Sequence, residues 1–576
     1  MRSFMKNTGR YIVLTAFPLG ILTAFLAYYS IDVIYWDEWG IASLLDKFYK
    51  HTLTFRDIFA PHNEHRIVLG KIIMLLNAIY LHWNLYLEIA VNVLFAAGTS
   101  IVMYYASQKM TGLDTKKRSV LYFVSACLIF SCSQHLNYIW GFTMQIFMSV
   151  FFNMLALCLL VYGNTACYFI AILSAFTATF SFANGMLIWP IGIIILLLLK
   201  ISSVSKIHWL KIFLWLAVSV FSVWLYFYDA GSRMGLSERL KYILTHPHMF
   251  MILFTCYLGA PISVFRQSAA LAAGIFGLAL QAFSFTEIIQ ARKLDRNILF
   301  WLGVDLYVLM SAAVTALGRS SSIAATMTRR YSSINMLFWI AVFALLFTAL
   351  EIRRKVSLKW YVVFACLILS LSVSEENFIA ARENYEARAV FKEQIKAGIY
   401  DNEHFLREIF PIREGAKIIP LLRKYGVRNF ENAPENIVFD DFHPSGFRPD
   451  YVQNTGFSCG IDDIKISDGE FLTLTGWWKI DTFRESDRLN ARSSIILYNG
   501  SAAFEAGLAP MKESKAAVFR VKKYSSPYEM SLRGYFSGNQ LYTGNIPAGE
   551  YTLFLKIYAE NGDCHMSQMA SCNIQH

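Results

Sequence analysis

Phe142-Thr-Met-Gln-Ile-Phe-Met-Ser-Val-Phe-Phe-Asn-Met-Leu-Ala-Leu-Cys-Leu-Leu-Val-Tyr162 runs on without a single charged side chain. At ~1.5 Å per helical residue such a run crosses roughly 30 Å, the hydrocarbon thickness of a bilayer. Outward from it the pattern repeats in both directions. Apolar runs near 11–30, 84–106, 119–133, 167–181, 186–200, 209–228, 268–289, 297–316, 333–350 and 359–374 bring the total to about eleven expected crossings. The first follows Arg2, Lys6 and Arg10, as a signal peptide would. It is longer than a signal core and no small-x-small cleavage site follows, so it reads as a retained anchor.

The whole chain of 576 residues is 56% hydrophobic and 16% charged, an average that hides two regimes. Residues 1–374 carry the apolar runs, whereas from Glu375 charged residues are frequent and no run of span length recurs. Residues 375–440 read as a helical connector, with Ala380-Ala-Arg-Glu-Asn-Tyr-Glu-Ala-Arg-Ala-Val-Phe-Lys392 as its clearest stretch. In 441–576 the period falls to two. Segments near 470–480, 493–500, 517–522, 529–536 and 550–559 are separated by turns such as Asn499-Gly500 and Pro547-Ala-Gly549, the pattern of a soluble β-sandwich. Trp477 and Trp478 within it are either core residues or a sugar-binding pair. The expected fold is a polytopic α-helical membrane protein followed by that β-sandwich domain.

A net charge of +11 does not point to nucleic acid here, because the basic residues sit in short loops between spans. With the N-terminus inside, Arg2/Lys6/Arg10, Lys109/Lys116/Lys117/Arg118, Lys200/Lys206/Lys211, Arg292/Lys293/Arg296 and Arg353/Arg354/Lys355/Lys359 all face the cytoplasm, as the positive-inside bias requires. The agreement requires two further apolar stretches, 67–82 and 247–265, not to cross fully; the alternative is that both are spans, which leaves the end of the chain on the same side. Lys71 and Asn77 interrupt the first, and Pro247 and Gly259-Ala260-Pro261 break the second. An odd number of spans then places everything after Ser374 outside, in the periplasm of a Gram-negative cell. Six cysteines, at 127, 132, 158, 167, 256 and 366, lie in apolar runs and read as small hydrophobes. Of the rest, Cys564 and Cys572 are the candidate disulfide in an oxidising compartment.

On the outward face, Tyr35-Trp36-Asp37-Glu38-Trp39-Gly40 sets two adjacent carboxylates between tryptophans. Acids beside apolar surface lose hydration, which moves them toward the range of a general base; the alternative is a solvated acid pair. Pro61-His62-Asn63-Glu64-His65-Arg66 follows, lacking the H-E-x-x-H zinc spacing. It suits substrate or phosphate contact through His65 and Arg66, with metal binding by His62, Glu64 and His65 as an alternative to no metal. Near 317–332, Arg319, Arg329 and Arg330 with Tyr331 stand against the positive-inside trend among Ser and Thr, as a phosphate or pyrophosphate site would need. Trp140, Gln145, Asn184 and Trp189 supply amides and aromatic faces suited to a sugar. Asp305, inside a span, is a buried acid that either has a function or pairs with a neighbouring helix. No phosphate-binding glycine loop and no D-x-D pair occurs, and because the outer face lacks nucleotide substrates a donor there would be carried by lipid.

An acid pair in the first outward loop, about eleven spans, a late arginine-bearing loop and a soluble C-terminal domain resemble the GT-C superfamily of membrane glycosyltransferases. Within it the chain is most similar to bacterial and phage glucosyltransferases that modify O-antigen in serotype conversion. The resemblance implies an inverting transfer of a sugar, with glucose the expected one, from a polyprenyl-phosphate donor to a glycan or glycolipid acceptor at the inner membrane. It implies Asp37 as the acid that deprotonates the acceptor, Glu38 as the alternate, and Arg319, Arg329 or Arg330 as partners of the departing phosphate. Two other classes compete: a transporter or flippase for a lipid-linked or anionic substrate, and a non-catalytic polysaccharide-assembly protein.

Overall fold

A computed structural model of the chain describes residues 2–63, 65–202, 207–229, 236–263, 266–292, 294–319, 322–353, 357–396, 415–428, 440–442, 457–467, 471–480, 492–498, 503–511, 532–542, 548–558 and 564–574. The protein is a multi-pass helical membrane protein, with ten helices among the described residues long and apolar enough to cross a bilayer. In chain order the helices are α1 (Arg2–Tyr29), α2 (Gly40–Tyr49), α3 (Phe55–Phe59), α4 (Val68–Tyr80), α5 (Leu85–Lys109), α6 (Thr115–Ile129), α7 (His135–Ile139), α8 (Met144–Tyr162), α9 (Thr165–Thr179) and α10 (Ile188–Ile201). They continue with α11 (Trp209–Phe227), α12 (Leu236–Thr245), α13 (Pro247–Gly259), α14 (Gln267–Gln290), α15 (Arg296–Gly318), α16 (Ile323–Thr326), α17 (Ser332–Arg353), α18 (Leu358–Ser372), α19 (Glu375–Lys396) and α20 (Gly415–Lys424).

Ten of the expected runs fall on the ten candidate spans, and the remaining one, 167–181, forms the 15-residue helix α9. The stretches 67–82 and 247–265 give the short apolar helices α4 and α13. Polar side chains start several helices: the Asp114 carboxylate accepts from Lys117 N at 2.9 Å, and that of Asp295 accepts from Asn297 N and Ile298 N at 2.9 Å. Each such cap satisfies amides that have no partner inside the helix.

Two compact units divide the chain: residues 1–30 with 47–383, and residues 31–46 with 384–576. In the first, the membrane unit, α17 is the central helix, buried without a break from Ser332 to Ala349. Helix α11 is two-faced. Ile212, Trp215, Ser219, Ser222 and Tyr226 point inward, while Leu210, Phe213, Val220, Phe221 and Trp224 are exposed at the same three-to-four spacing, as a lipid-facing stripe requires. Helices α13 and α14 pack tightly through glycine: a Cβ on Gly259 would meet the Ala270 carbonyl oxygen at 1.9 Å, and one on Gly274 the Thr255 oxygen at 2.1 Å. Helix α13 stops where Pro261 has no N–H to offer the carbonyl of Tyr257. Asn335 Nδ2 of α17 donates to that carbonyl at 3.0 Å, and Trp339 Nε1 donates to the next, Leu258, at 2.9 Å.

The tail unit holds the loop 31–46, the C-terminal part of α19, α20 and eight strands: β1 (Asp440–Phe442), β2 (Phe457–Ser467), β3 (Phe471–Ile480), β4 (Arg492–Tyr498), β5 (Ala503–Met511), β6 (Leu532–Tyr542), β7 (Gly549–Tyr558) and β8 (Cys564–Ile574). They bond antiparallel in the order β2-β3-β6-β5-β4-β7-β8, with β1 on β5. Strand β5 changes partner midway, pairing with β4 over Leu508 and earlier residues and with β6 from Ala509. Of the expected strands, 517–522 lies outside the described residues, and β1, β2, β5 and β8 were not anticipated. The Cys564–Cys572 disulfide expectation is corrected by β8: both cysteines lie in this one extended strand, about 26 Å apart at ~3.3 Å per residue, against the roughly 6 Å a disulfide spans. Cys572 is a free thiol, and burial pushes its pKa up to about 11.

Candidate functional site

Turns expected on one face do meet at one end of the membrane unit. Asn137 Nδ2 donates to the Arg330 carbonyl at 3.1 Å and to Ser333 Oγ at 2.9 Å, and Ser333 Oγ donates to Gln134 Oε1 at 2.9 Å. Arg329 Nη1 donates to the Ser133 carbonyl at 2.7 Å and to Asn377 Oδ1 at 2.9 Å. Asn92, a polar residue within α5, donates to the carbonyls of Asn137, Tyr138 and Trp140 at 3.0–3.3 Å. The arginine loop is thereby fastened to the 132–143 turn. The basic loops gather where the same helices have their other ends. There Lys117 pairs with Glu351 at 2.5 Å, Arg353 with Glu287 at 3.4 Å, and Thr111 bonds Asp295 at 2.6 Å.

Arg319, Arg329 and Arg330 are all half-buried. The Arg330 guanidinium lies 6.0 Å from the ring of Tyr331, which is buried against Tyr257 at 5.7 Å. Tyr331 is thus a packing partner of the arginine loop.

The stretch from His62 to Arg66 folds into a tight turn, in which the main chains of His62 and His65 exchange hydrogen bonds of 2.7 and 2.9 Å. Asn63 takes a left-handed backbone (φ 51°), a conformation asparagine tolerates better than most residues. Glu64 lies outside the described residues. The His62 ring packs 5.0 Å from Phe142 and the His65 ring 4.2 Å from Phe182. Among the described residues no group of three or more His, Cys, Asp or Glu is placed to hold a metal ion.

Arg66 departs from its expected role. It is 2% exposed; Nη1 donates to the Phe59 carbonyl at 2.6 Å, Nε to that of Tyr226 at 2.5 Å, and Nη2 to that of Tyr228. Two of those carbonyls close the C-terminal end of α11, where orphan acceptors and the helix dipole both favour a cation. The guanidinium expected to hold phosphate caps a helix instead. Lys71 serves similarly, donating to the Ala60 carbonyl at 2.7 Å; burial, reinforced by Arg66 and opposed by Asp57, pulls its amine down to about 8.

The sugar-contact candidates separate into two kinds. Trp189 is 1% exposed, stacks 4.9 Å from Trp215 and donates Nε1 to Thr179 Oγ1 at 2.9 Å, so it is a core residue and offers no face to a sugar. Trp140 is also buried, its ring stacked on Phe142 at 5.7 Å. Gln145 and Asn184 differ: both are buried, yet Gln145 Oε1 and Asn184 Nδ2 have no hydrogen-bond partner among the described residues. Asn184 is held in its turn by Gly185, where a Cβ would come within 1.9 Å of the Ala178 carbonyl oxygen.

In the tail unit, the acid turn separates its two carboxylates. Trp36 adopts a left-handed backbone (φ 49°), rare and strained for an aromatic residue, and opens one 3-10 turn through Trp39. That kink turns Glu38 inward to full burial, where its carboxylate accepts from Tyr35 N at 2.7 Å. Asp37, one residue earlier, stays half-exposed. Tyr35 is buried beneath the Arg388 guanidinium at 4.9 Å; burial raises its hydroxyl pKa, and the arginine opposes the rise.

No protein-family model, curated protein or solved structure matches the chain. The fold and its polar groups define its class: a multi-pass helical membrane protein with an amide- and arginine-lined end and an acid turn in its tail unit. Sequence reading missed Asn92, Gln134, Ser333 and Arg388. Asn92 carried a signal, being an amide inside an apolar run. Arg388 carried none, since an arginine in an Ala- and Glu-rich helix looks like any surface residue.

Proposed function

We propose that the protein is an inverting membrane glycosyltransferase of GT-C type, which moves a sugar, glucose being the expected one, from a polyprenyl-phosphate donor to a surface glycan such as O-antigen. Asp37 is the base that takes the acceptor hydroxyl's proton, and that oxygen then displaces the lipid phosphate from the anomeric carbon. Arg319 and Arg330, with Arg329 anchoring their loop, neutralise the departing phosphate. Gln145 and Asn184, whose free amide atoms suit hydroxyl partners, contact sugar. The gathering of basic loops at one end of the bundle supports an inner-membrane orientation with that end cytoplasmic and the tail periplasmic. The change of partner along β5 supports a two-layered sandwich in the tail. The observation that carries the reading is the geometry of the acid turn, in which Glu38 is fully buried and capping Tyr35 N while Asp37 is half-exposed beside the left-handed Trp36. Purified protein given labelled polyprenyl-phosphate glucose and O-antigen glycolipid tests it: transfer that disappears in Asp37→Asn supports it, and equal transfer by Asp37→Asn refutes it.

A second reading, a transporter or flippase, has one observation in its favour. Asp305 of α15, 1% exposed and midway along its span, faces the buried amide Gln281 of α14 and pairs with no cation among the described residues. Unpaired intramembrane acids recur on transport paths. Asp305→Asn that stops lipid-linked sugar crossing in reconstituted vesicles, while sparing sugar transfer, would favour this reading.

A further inference from the structure

The shape of the acid turn is set from outside it. Residues 31–35 have no regular secondary structure, and their main-chain bonds are local turns, Val33 N donating to the Ile31 carbonyl at 3.0 Å and Glu38 N to that of Tyr35 at 3.2 Å. Arg388 of α19, 1% exposed, donates Nη2 to the Val33 carbonyl at 3.0 Å and to that of Ile31 at 3.4 Å, while its guanidinium covers the Tyr35 ring. One turn earlier, Asn384 Nδ2 donates to the Tyr35 hydroxyl at 3.3 Å. Arg428, just past α20, stands 3.7 Å from the buried carboxylate of Asp32. On the far side of the acid turn, in α2, Asp46 Oδ1 accepts from the Tyr425 hydroxyl at 2.7 Å. The loop is therefore gripped on both sides of Asp37 by two helical segments more than 330 residues further along the chain. A left-handed Trp36 costs about 1–3 kcal/mol and persists only where the surroundings over-determine it.

We infer that Arg388 is a positioning residue, the centre of a clamp that holds loop 31–46 in the one shape that presents Asp37. The inference rests on the assignment of Asp37 as the base. It makes the helical connector part of the catalytic apparatus, because any shift of α19 or α20 is transmitted to the acid. Removing the guanidinium lets the carbonyls of Ile31 and Val33 find water and the turn relax, and a misplacement of about 1 Å costs a catalytic group roughly 100-fold.

Two readouts on the full-length protein test the clamp. The first needs no activity. Val33 is 1% exposed, so Val33→Cys is protected from a water-soluble maleimide when Arg388 is present, and reacts about tenfold faster or more once Arg388→Ala lets the loop open. Mass spectrometry of that peptide separates it from the native cysteines. The second is turnover: Arg388→Ala lowers kcat about 10- to 100-fold with donor KM unchanged, and Arg388→Lys restores part of it. Unchanged protection together with unchanged kcat in Arg388→Ala overturns the inference. If Arg388→Ala fails to accumulate, Arg388→Lys and Tyr425→Phe carry the same test: faster labelling supports the clamp, and native protection with native turnover in both overturns it. Faster labelling with no transfer detectable even in the unaltered protein upholds the clamp and removes the glycosyltransferase reading.

Discussion

The acid turn at Tyr35–Gly40 and the basic turn at His62–Arg66 look alike in sequence, each crowding ionisable groups among aromatics, yet the fold uses them differently. In the acid turn one of two carboxylates becomes an internal cap and its neighbour stays half-exposed. In the basic turn the strongest group, Arg66, is consumed by main-chain carbonyls, and its histidines lie against phenylalanines. What decides between structure and chemistry is which backbone groups nearby lack partners. Helix α11 ends with open carbonyls and takes the arginine; the kink at Trp36 leaves one amide open and takes Glu38.

Exchanging the roles of Asp37 and Glu38 is the largest expected break in that comparison. Asp37→Asn is expected to reduce sugar transfer about 10²- to 10⁴-fold, the usual contribution of a general base, with expression unchanged. Glu38→Gln keeps an acceptor for Tyr35 N and retains most activity, whereas Glu38→Ala loses about 1–2 kcal/mol of loop stability. Transfer rates measured side by side with thermal melting in detergent check both.

Arg66→Ala comes next and is expected to act through stability. It strands three carbonyls, each at a cost of about 1–3 kcal/mol, and should lower the melting temperature by several degrees or abolish accumulation. A stable Arg66→Ala protein with a raised donor KM would return Arg66 to phosphate binding. Arg330→Ala is the counterpart, expected to raise donor KM about tenfold with the melting temperature within a degree of native. The smallest effect expected is chemical: peptide mapping without reduction should find no bridge between Cys564 and Cys572, because seven residues of extended strand lie between them.

The spans were legible because an apolar run of membrane length has few alternative readings. Short helices at 67–82 and 247–265 were legible too, since Lys71 and Pro261 mark where hydrocarbon ends or a helix must stop. The site was legible only as a set of addresses. Adjacent letters such as Asp37 and Glu38 say nothing of which side chain turns inward, because that depends on one left-handed residue. Trp189 looked like a sugar platform because its core partner, Trp215, is distant in sequence. Arg388 was invisible for the same reason, its acceptors lying more than 350 residues away.

The most direct test of the central claim compares Asp37→Asn and Glu38→Gln in one assay of transfer from labelled polyprenyl-phosphate glucose to O-antigen glycolipid by purified protein. Labelled glycolipid formed by native and Glu38→Gln protein, and none formed by Asp37→Asn, is the expected result. Native-level transfer by Asp37→Asn, or its loss in Glu38→Gln alone, would contradict the assignment of Asp37 as the working acid.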